Sequence, residues 1–190
     1  MLATFLKSAV RLEDLPKSDK PHIAFVGRSN VGKSSLLNHL VNQKNLARVS
    51  SEPGRTQTIN LFDADGRCFL VDLPGYGYAK TTKEKRRGFL GMISDYLWQA
   101  QQLKLVFLVM DARVGLTDLD REMLAYLQSG RIPFAIIINK IDKLARSESI
   151  RLFQSLEANI PDALLLPHSI ITGEGRGEIW QEIERAIRPS

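Results

Sequence analysis

The sequence is poor in cysteine and has no long apolar segment. Its 190 residues include one cysteine, Cys68, so no disulfide can form within the chain. No apolar run approaches the roughly 20 residues that a membrane-spanning helix needs. The first residues, MLATFLKSAVRLEDLP, contain neither the hydrophobic region nor the cleavage site of a signal peptide. We therefore expect a cytoplasmic protein without a membrane partner, long enough for one domain with a substantial core.

Repeats and low-complexity tracts are also absent, and the charge balance is only mildly basic. The formal net charge is +5 and the isoelectric point is about 9.4, an excess that permits an anionic partner such as nucleic acid. The densest basic run is KTTKEKRRG at 80–88, which holds five positive side chains and one acid. This run is either a solvated helix face or a surface that binds phosphate-rich nucleic acid, and Arg185 and Arg188 could extend it.

Short apolar runs alternate with helical patterns along the chain. Runs of Val, Ile and Leu without polar alternation indicate strands that are buried on both faces. The predicted strands lie at 22–27, in a hairpin within 59–73, and at 103–111, 133–140 and 163–169. The predicted helices include 34–43, 117–130 with Thr117 as N-cap, 147–160 capped by Ser147, and 177–187. The pattern predicts an α/β fold, a mostly parallel six-stranded sheet with helices on both faces.

The segment GRSNVGKSS at 27–35 follows the first buried strand and precedes a helix. Gly27, Gly32, Lys33 and Ser34 match the pattern of a phosphate-binding P-loop. Glycines let the backbone approach phosphate oxygens, and N–H groups at the start of the helix form an anion-binding cradle. Lys33 would contact the β- and γ-phosphates, and the Ser34 hydroxyl could bind Mg²⁺. A plain glycine-rich turn would explain one glycine but not the Gly-Lys-Ser sequence.

A carboxylate at a second strand end extends this phosphate site. Asp72 closes a predicted strand and begins the sequence Asp-Leu-Pro-Gly, which ends at Gly75. A strand-end carboxylate could hold Mg²⁺ through a water, and the Gly75 N–H could reach a γ-phosphate without a side chain in the way. Alone, this pattern would indicate only a turn. Because it follows a P-loop lysine and lies at a strand end, it indicates a part of the same site.

Base-binding residues are predicted at the ends of the last two strands. The sequence NKID at 139–142 places Asp142 where its carboxylate could accept two hydrogen bonds from guanine, which adenine cannot donate. The stem of Lys140 could lie along the face of the base. Ser169 could support this loop, and the backbone N–H of Ile170 could reach the guanine O6. The sequence therefore favours GTP over ATP.

The chain resembles the EngB (YihA/YsxC) family of bacterial GTP-binding proteins, of the TRAFAC class, in VGRSNVGKSSLLN, SSEPGRTQTINLF, VDLPGYGYA and the N-terminal FLKSAVRLEDLP. The resemblance implies a Ras-like P-loop NTPase domain (G domain) at 21–190, with residues 1–20 as an N-terminal extension packing on it. It implies GTP and GDP as ligands together with Mg²⁺, and we expect a monomer. It also implies a role in assembling the large ribosomal subunit from rRNA and ribosomal proteins, linked to normal cell division and septation.

The resemblance implies roles for individual residues as well. The phosphate loop would comprise Gly27, Arg28, Ser29, Asn30, Val31, Gly32, Lys33, Ser34 and Ser35. The two switches would contain Gly54, Arg55, Thr56, Asp72, Leu73, Pro74 and Gly75. Thr56, with Thr58 as the alternative, would reach Mg²⁺ together with Ser34. The guanine pocket would be formed by Asn139, Lys140, Ile141, Asp142, His168, Ser169 and Ile170. Asn139 and Ile170 depart from the family pattern, which more often has threonine and a small residue there.

Hydrolysis is expected to depend on Lys33, Thr56, Gly75 and Asn30, and to be slow. Tyr76 stands where Ras-like enzymes carry a water-orienting glutamine. In related GTPases an asparagine at the position of Asn30 ligates a K⁺ ion that replaces an arginine finger. Asn30 is therefore either a K⁺ ligand or a turn residue that stabilises the loop. The only arginine in the loop is Arg28, whose side chain can point to solvent.

Three functions stay open on these grounds. The first is a GTP-dependent switch in large-subunit assembly. The second is a division-machinery interaction protein whose GTP binding is incidental. The third is a P-loop kinase for a small molecule, which would need an arginine-rich lid and no guanine-reading loop, the reverse of what the sequence contains.

Overall fold

The computed structural model describes residues 2–43, 46–47, 58–77 and 83–188, with the backbone alone at 83–90. The strands are β1 (Ala3–Ala9), β2 (His22–Gly27), β3 (Ile59–Ala64), β4 (Cys68–Asp72), β5 (Leu103–Asp111), β6 (Phe134–Asn139) and β7 (Leu164–His168). The helices are α1 (Lys33–Leu40), α2 (Lys83–Gln99), α3 (Asp118–Ser129), α4 (Arg146–Asn159) and α5 (Arg176–Ala186). Short 3-10 turns lie at Leu12–Asp14 and Ile141–Lys143. None of the described helices is long and apolar enough to cross a membrane.

All the strands of the described residues form one sheet, in the order β1-β3-β4-β2-β5-β6-β7. β3 pairs antiparallel with β1 and β4, and the other pairs are parallel. The predicted α/β fold with a mostly parallel sheet is confirmed, but the count of six strands is wrong because β1 adds a seventh at the edge. In β1 only the terminal Ala3 and Ala9 are buried, so its sequence lacks the apolar pattern of a core strand.

Each face of the sheet carries its own apolar core. On one face, residues such as Ala24 and Val26 of β2 pack with α2, α3 and α4. On the other face, Ile23 and Phe25 of the same strand pack with α1 and α5. Successive side chains of a strand point to opposite faces, so a strand covered by helices on both sides must be apolar throughout. Because helices cover both faces of the sheet, polar residues lie at the edge that the carboxyl ends of the parallel strands form.

Helix starts follow the sequence rules in one case and depart from them in another. Thr117 is the N-cap of α3 as predicted, in a capping box with Asp120. The prediction of Ser147 as the cap of α4 is wrong, because the helix begins at Arg146 and its N-cap is Ala145. Glu148 Oε2 accepts the Ala145 N–H at 2.8 Å, so an acid in the first turn satisfies this helix start.

Candidate functional site

The phosphate loop runs from the end of β2 to the start of α1 and packs closely on neighbouring strand ends. A Cβ on Gly27 would lie 2.4 Å from the carbonyl oxygen of Val109 in β5. Gly32 has a φ of 98°, and a Cβ there would lie 2.5 Å from Asn139 Nδ2. Both positions therefore require glycine. The loop ends where α1 begins, at Lys33. The N–H groups in the first turn of a helix have no partner within the helix and can bind an anion.

Lys33 and Asp72 form a buried ion pair between the start of α1 and the end of β4. Lys33 Nζ lies 3.5 Å from Asp72 Oδ1, and both side chains are less than a tenth exposed. Burial raises the pKa of Asp72, whereas Lys33 and a hydrogen bond with Ser34 oppose that rise. Oδ1 of Asp72 has no hydrogen-bond partner among the described residues. A buried carboxylate oxygen in this state is stabilised by a further cation or a water.

These oxygen atoms fit Mg²⁺, which prefers oxygen ligands and keeps several waters. The Ser34 hydroxyl would hold the ion directly, and Asp72 would hold it through a water. In the described part of the chain, no group of three or more His, Cys, Asp or Glu side chains is placed to hold a metal. The remaining ligands would thus come from phosphate, water and hydroxyl oxygens. The predicted first-switch residues Gly54, Arg55 and Thr56, and the metal-binding role of Thr56, lie outside the described residues.

Residues 73–77, which follow β4, lie directly on the phosphate loop. The Ser29 N–H donates to the Tyr76 carbonyl oxygen at 2.9 Å, and the Tyr76 N–H donates to the Gly27 carbonyl oxygen at 3.3 Å. A Cβ on Gly75 would lie 3.1 Å from Ser29 Oγ and 3.2 Å from Ser29 N. The missing side chain of Gly75 therefore permits this approach. A displacement of either segment would disturb the other, because they share backbone hydrogen bonds.

The Tyr76 side chain points into the core and not toward the phosphates. The residue is 3% exposed, and its hydroxyl donates to Asp120 Oδ1 at 2.8 Å. Arg28 Nε donates to Asp120 Oδ2 at 3.3 Å, so the Arg28 side chain is directed toward α3 and is mostly buried. The Thr117 hydroxyl donates to the same Oδ2 at 2.6 Å. Burial, and next the Asp120 charge, raise the pKa of Tyr76 well above its ordinary value, so the phenol stays protonated.

Asn139 joins the predicted guanine pocket to the phosphate loop. Its Nδ2 donates to the Val31 carbonyl oxygen at 2.8 Å. Its Oδ1 accepts the Lys140 N–H at 3.0 Å and lies 2.8 Å from His168 Nδ1. Asn139 therefore acts as a brace between the ends of β6 and β7 and the loop that would hold the phosphates.

Asp142 is held by the loop that follows β7. Ser169 Oγ donates to Asp142 Oδ1 at 2.6 Å and accepts the N–H groups of Ile171 and Thr172. The hydrogen bond from Ser169 lowers the pKa of Asp142. The carboxylate therefore stays ionised at neutral pH, as the recognition of two guanine donors requires. The Ile170 side chain is exposed, which leaves its backbone as the part available to a base.

Lys140 spans the pocket, and its main partner was missed by the sequence analysis. Lys140 Nζ donates to the Asn30 carbonyl oxygen at 2.9 Å and to Asp111 Oδ2 at 2.8 Å. Burial opposes ionisation of Asp111, but hydrogen bonds from Arg113 and Lys140 hold its pKa well below the ordinary range. The sequence contained a usable signal, because Asp111 ends the predicted strand at 103–111. The structure pairs it in register with Asn139 at the end of β6.

The structure thus brings the phosphate loop, residues 72–75, the NKID segment and residues 168–170 to one edge of the sheet. A P-loop beside a buried carboxylate suited to Mg²⁺ and a loop suited to guanine indicate a P-loop GTPase. The sequence matches the family described as 50S ribosome-binding GTPase over residues 22–140.

Proteins that are similar in sequence over the whole chain show which family of P-loop GTPases this chain belongs to. The chain is 46% identical over 191 residues to a probable GTP-binding protein EngB of Pelotomaculum thermopropionicum, covering 97% of this chain and 95% of that one. It is 44% identical over 185 residues to the corresponding protein of Pelobacter propionicus, covering 96% and 92%. The chain belongs to the EngB family of GTP-binding proteins, and the resemblance inferred from its motifs is confirmed.

Solved structures agree with this assignment. A crystal structure of a probable GTP-binding protein EngB superimposes with a TM-score of 0.71 at 26% identity, covering 88% of this chain and 98% of that one. Era of Aquifex aeolicus superimposes with a TM-score of 0.73 at 23% identity, covering 89% and 57%; this second likeness concerns the fold alone. The family and the GTPase domain indicate that the chain hydrolyses GTP, which leaves the alternative of a small-molecule kinase without support.

Proposed function

We propose that this GTPase is a nucleotide-dependent switch that binds the large ribosomal subunit or its precursor in the cytoplasm, and that this role underlies a link to division septation. The observation that carries the proposal is the match to a family whose description names binding to the 50S ribosome. The protein would act as a monomer, with rRNA and ribosomal proteins as its contacts.

The contact between the phosphate loop and residues 73–77 supports a switch. The Ser29 N–H and the Gly27 carbonyl oxygen both bond to the backbone of Tyr76. A γ-phosphate in the loop would compete for the space and the N–H groups beside Gly75, because a single added carbon there already comes within 3.2 Å of Ser29. A change of nucleotide would therefore first change the conformation of residues 73–77, and this change would then alter the position of α2, which follows in the chain.

The start of α2 supports an anionic partner. α2 begins at Lys83, and three further basic residues follow within its first two turns. Cations at a helix N-terminus oppose the helix dipole, so this placement does not serve the helix itself. α3 shows the ordinary arrangement, with Asp118 and Asp120 in its first turn. A basic helix start next to the nucleotide-sensing segment is suited to a phosphate backbone such as that of rRNA.

Each part of the nucleotide would have its own protein contacts. Asp142, supported by Ser169, would accept hydrogen bonds from the guanine, and Lys33 would contact the β- and γ-phosphates. Ser34 and Thr56 would hold Mg²⁺, which when bound offsets the charge of the phosphates. A K⁺ ion beside Asn30 would add to that effect. Intrinsic hydrolysis would be slow, because the Tyr76 phenol is bound to Asp120 and cannot orient a water.

Co-sedimentation with purified 50S particles tests the proposal. Wild-type protein should bind more tightly with a non-hydrolysable GTP analogue than with GDP. The test variant replaces four basic residues by serine: Lys83, Lys85, Arg86 and Arg87. The matched control removes the same charge from exposed positions elsewhere: Lys17, Lys104, Arg146 and Arg151. The test variant should lose affinity and flatten the log–log salt dependence by roughly one unit for each lost phosphate contact, whereas the control should behave as wild type.

The outcomes separate the candidate functions. Equal losses of affinity in the two variants would show that the 80–88 run contributes only general surface charge. Wild-type protein that fails to sediment with either nucleotide would overturn the ribosomal proposal and favour the division-machinery interaction protein.

A further inference from the structure

His168 ends β7, is fully buried, and has both ring nitrogens in hydrogen bonds. Its Nδ1 lies 2.8 Å from Asn139 Oδ1, and its Nε2 lies 2.9 Å from Nδ1 of His39 in α1. The two histidine rings are 5.0 Å apart between centroids. Both nitrogens are engaged within the protein, so the hydrogen bonds of this side chain reach the guanine pocket through Asn139.

The hydrogen-bond partners decide where the protons lie. Asn139 Nδ2 faces the Val31 carbonyl oxygen, which can only accept, so Nδ2 is the donor and Oδ1 is the atom that faces His168. His168 must then carry its proton on Nδ1, and its Nε2 must accept. His39 consequently donates from its own Nδ1. The result is a one-way chain of three hydrogen bonds, from His39 through His168 and Asn139 to the phosphate loop.

We propose that His168 is a positioning residue for guanine selection, and that the chain His39–His168–Asn139 fixes the orientation of the Asn139 amide. The two ends of an amide are nearly the same shape, so Asn139 needs a donor on one side and an acceptor on the other to settle in one orientation. Val31 supplies the acceptor, and the Lys140 N–H and His168 both supply donors to Oδ1, of which only His168 is a side chain that can be replaced. The residue after it, Ser169, holds Asp142, so one strand end positions both polar groups of the pocket.

The surroundings of His168 keep the ring in the state that this chain needs. Burial, and next the neighbouring His39, lower the pKa of His168 to about 4, with the Asp142 charge acting in the opposite direction. A neutral ring can both donate and accept, whereas a doubly protonated ring would turn Nε2–H toward the Nδ1–H of His39. Gly175 packs closely on this strand end, because a side chain at that position would clash with the Pro167 carbonyl oxygen.

Two substitutions at His168 separate hydrogen bonding from packing. His168→Phe keeps the ring volume but removes the donor, whereas His168→Asn keeps an amide donor near the position of Nδ1 and loses volume. We expect His168→Phe to weaken GDP binding about tenfold and to lower the ratio of GDP to IDP affinity, because Asn139 Oδ1 loses one of its two donors and keeps only the Lys140 N–H. We expect His168→Asn to stay within about threefold of wild type for GDP. A purely packing role predicts the opposite ranking.

Three measurements on the full chain decide the matter: GDP and IDP affinity by calorimetry, thermal unfolding of each variant, and histidine tautomers by nitrogen NMR. The chain has three histidines, so assignment is straightforward. The proposal predicts Nδ1–H tautomers for His39 and His168, and a loss of selectivity in His168→Phe beyond any loss of stability. An Nε2–H tautomer at His168, an unchanged GDP to IDP ratio in His168→Phe, or weaker GDP binding by His168→Asn than by His168→Phe would overturn it.

Discussion

At the base end of the nucleotide site, protein partners already hold the polar groups that we expect to recognise guanine. Asn139 is bonded to Val31, Lys140 and His168, and Asp142 is bonded to Ser169. At the phosphate end, Asp72 keeps a buried oxygen without a hydrogen-bond partner among the described residues, and Lys33 stands 3.5 Å from it. The base end is therefore preorganised, whereas the phosphate end is completed by its ligand.

This difference follows from what each end must do. A base is selected by fixed donors and acceptors, because a wrong base leaves a rigid polar group unpaired. Phosphates and Mg²⁺ change during the reaction, so their side of the site must accept a change in charge. Guanine selectivity should therefore depend on hydrogen bonds within the protein, and nucleotide response on the phosphate end.

The largest effect should come from the phosphate end. Lys33→Ala should weaken Mg²⁺–GTP binding by on the order of several hundredfold, because a charged contact is lost and Asp72 stays buried without its cation. Titration of a fluorescent GTP analogue measures this loss. Ser34→Ala is the companion variant: it should keep GDP affinity in EDTA and lose the enhancement by Mg²⁺. Wild-type affinity for Mg²⁺–GTP in either variant would contradict the phosphate-loop assignment.

The next effect tests the base end. Asp142→Asn should weaken GTP binding about a hundredfold and favour xanthosine nucleotides, because the new amide donates where the carboxylate accepted. Competition among GTP, XTP and ATP measures the change. Ser169→Ala is a graded control that leaves the carboxylate and removes its support, so it should weaken GTP binding less and keep guanine preferred. Equal affinity of the wild type for ATP and GTP would contradict the inference that the base end is preorganised for guanine.

A third prediction concerns the boundary between the two regions. Tyr76→Phe removes the donor to Asp120 Oδ1, while Thr117 and Arg28 still bond Oδ2. We expect the free energy of unfolding to fall by about 1–2 kcal/mol, with the rate of GTP hydrolysis nearly unchanged because the phenol does not face the phosphates. Chemical unfolding and single-turnover hydrolysis measure the two quantities. A large change in the rate of GTP hydrolysis with an unchanged free energy of unfolding would instead indicate that Tyr76 takes part in the reaction.

Residues whose chemistry lies in a local pattern were predictable from the sequence. The glycines, Lys33 and Ser34 of the phosphate loop and the NKID segment identify themselves by spacing and by their place after a strand. The hydrogen-bond partners and the burial of these residues were not predictable in the same way. The structure places Lys33 and Asp72 side by side as an ion pair, but nothing in either segment indicates that one buried oxygen of the carboxylate lacks a hydrogen-bond partner among the described residues.

Features that depend on how distant elements pack were not predictable. The directions of Tyr76 and Arg28 are set by Asp120, which lies on α3. The pairing of His39 with His168 joins positions 129 residues apart, and neither histidine belongs to a recognised motif with the other. β1 was missed for a related reason: it pairs with β3 through its backbone while its interior side chains remain exposed.

The smallest expected effect concerns Asn30, which lies where the two regions meet. Its carbonyl oxygen accepts from Lys140 of the base end, and its φ of 68° is a conformation that asparagine tolerates better than most residues. That conformation alone would explain an asparagine. A K⁺ ligand role predicts more: GTP turnover should rise about threefold to tenfold when K⁺ replaces Na⁺ at constant ionic strength, and Rb⁺ should help whereas Li⁺ should not.

Asn30→Gly separates these explanations, because glycine adopts the same conformation and removes only the amide. If the amide oxygen holds the cation, Asn30→Gly should lose the difference between K⁺ and Na⁺ while GDP affinity in EDTA stays nearly intact. Asn30→Ala adds backbone strain and should weaken GDP binding as well. The K⁺ dependence of affinity for GDP with aluminium fluoride gives a readout that needs no turnover. Identical turnover and identical affinity in K⁺ and Na⁺ would assign Asn30 to loop conformation alone, and would make the ribosomal partner the source of faster hydrolysis.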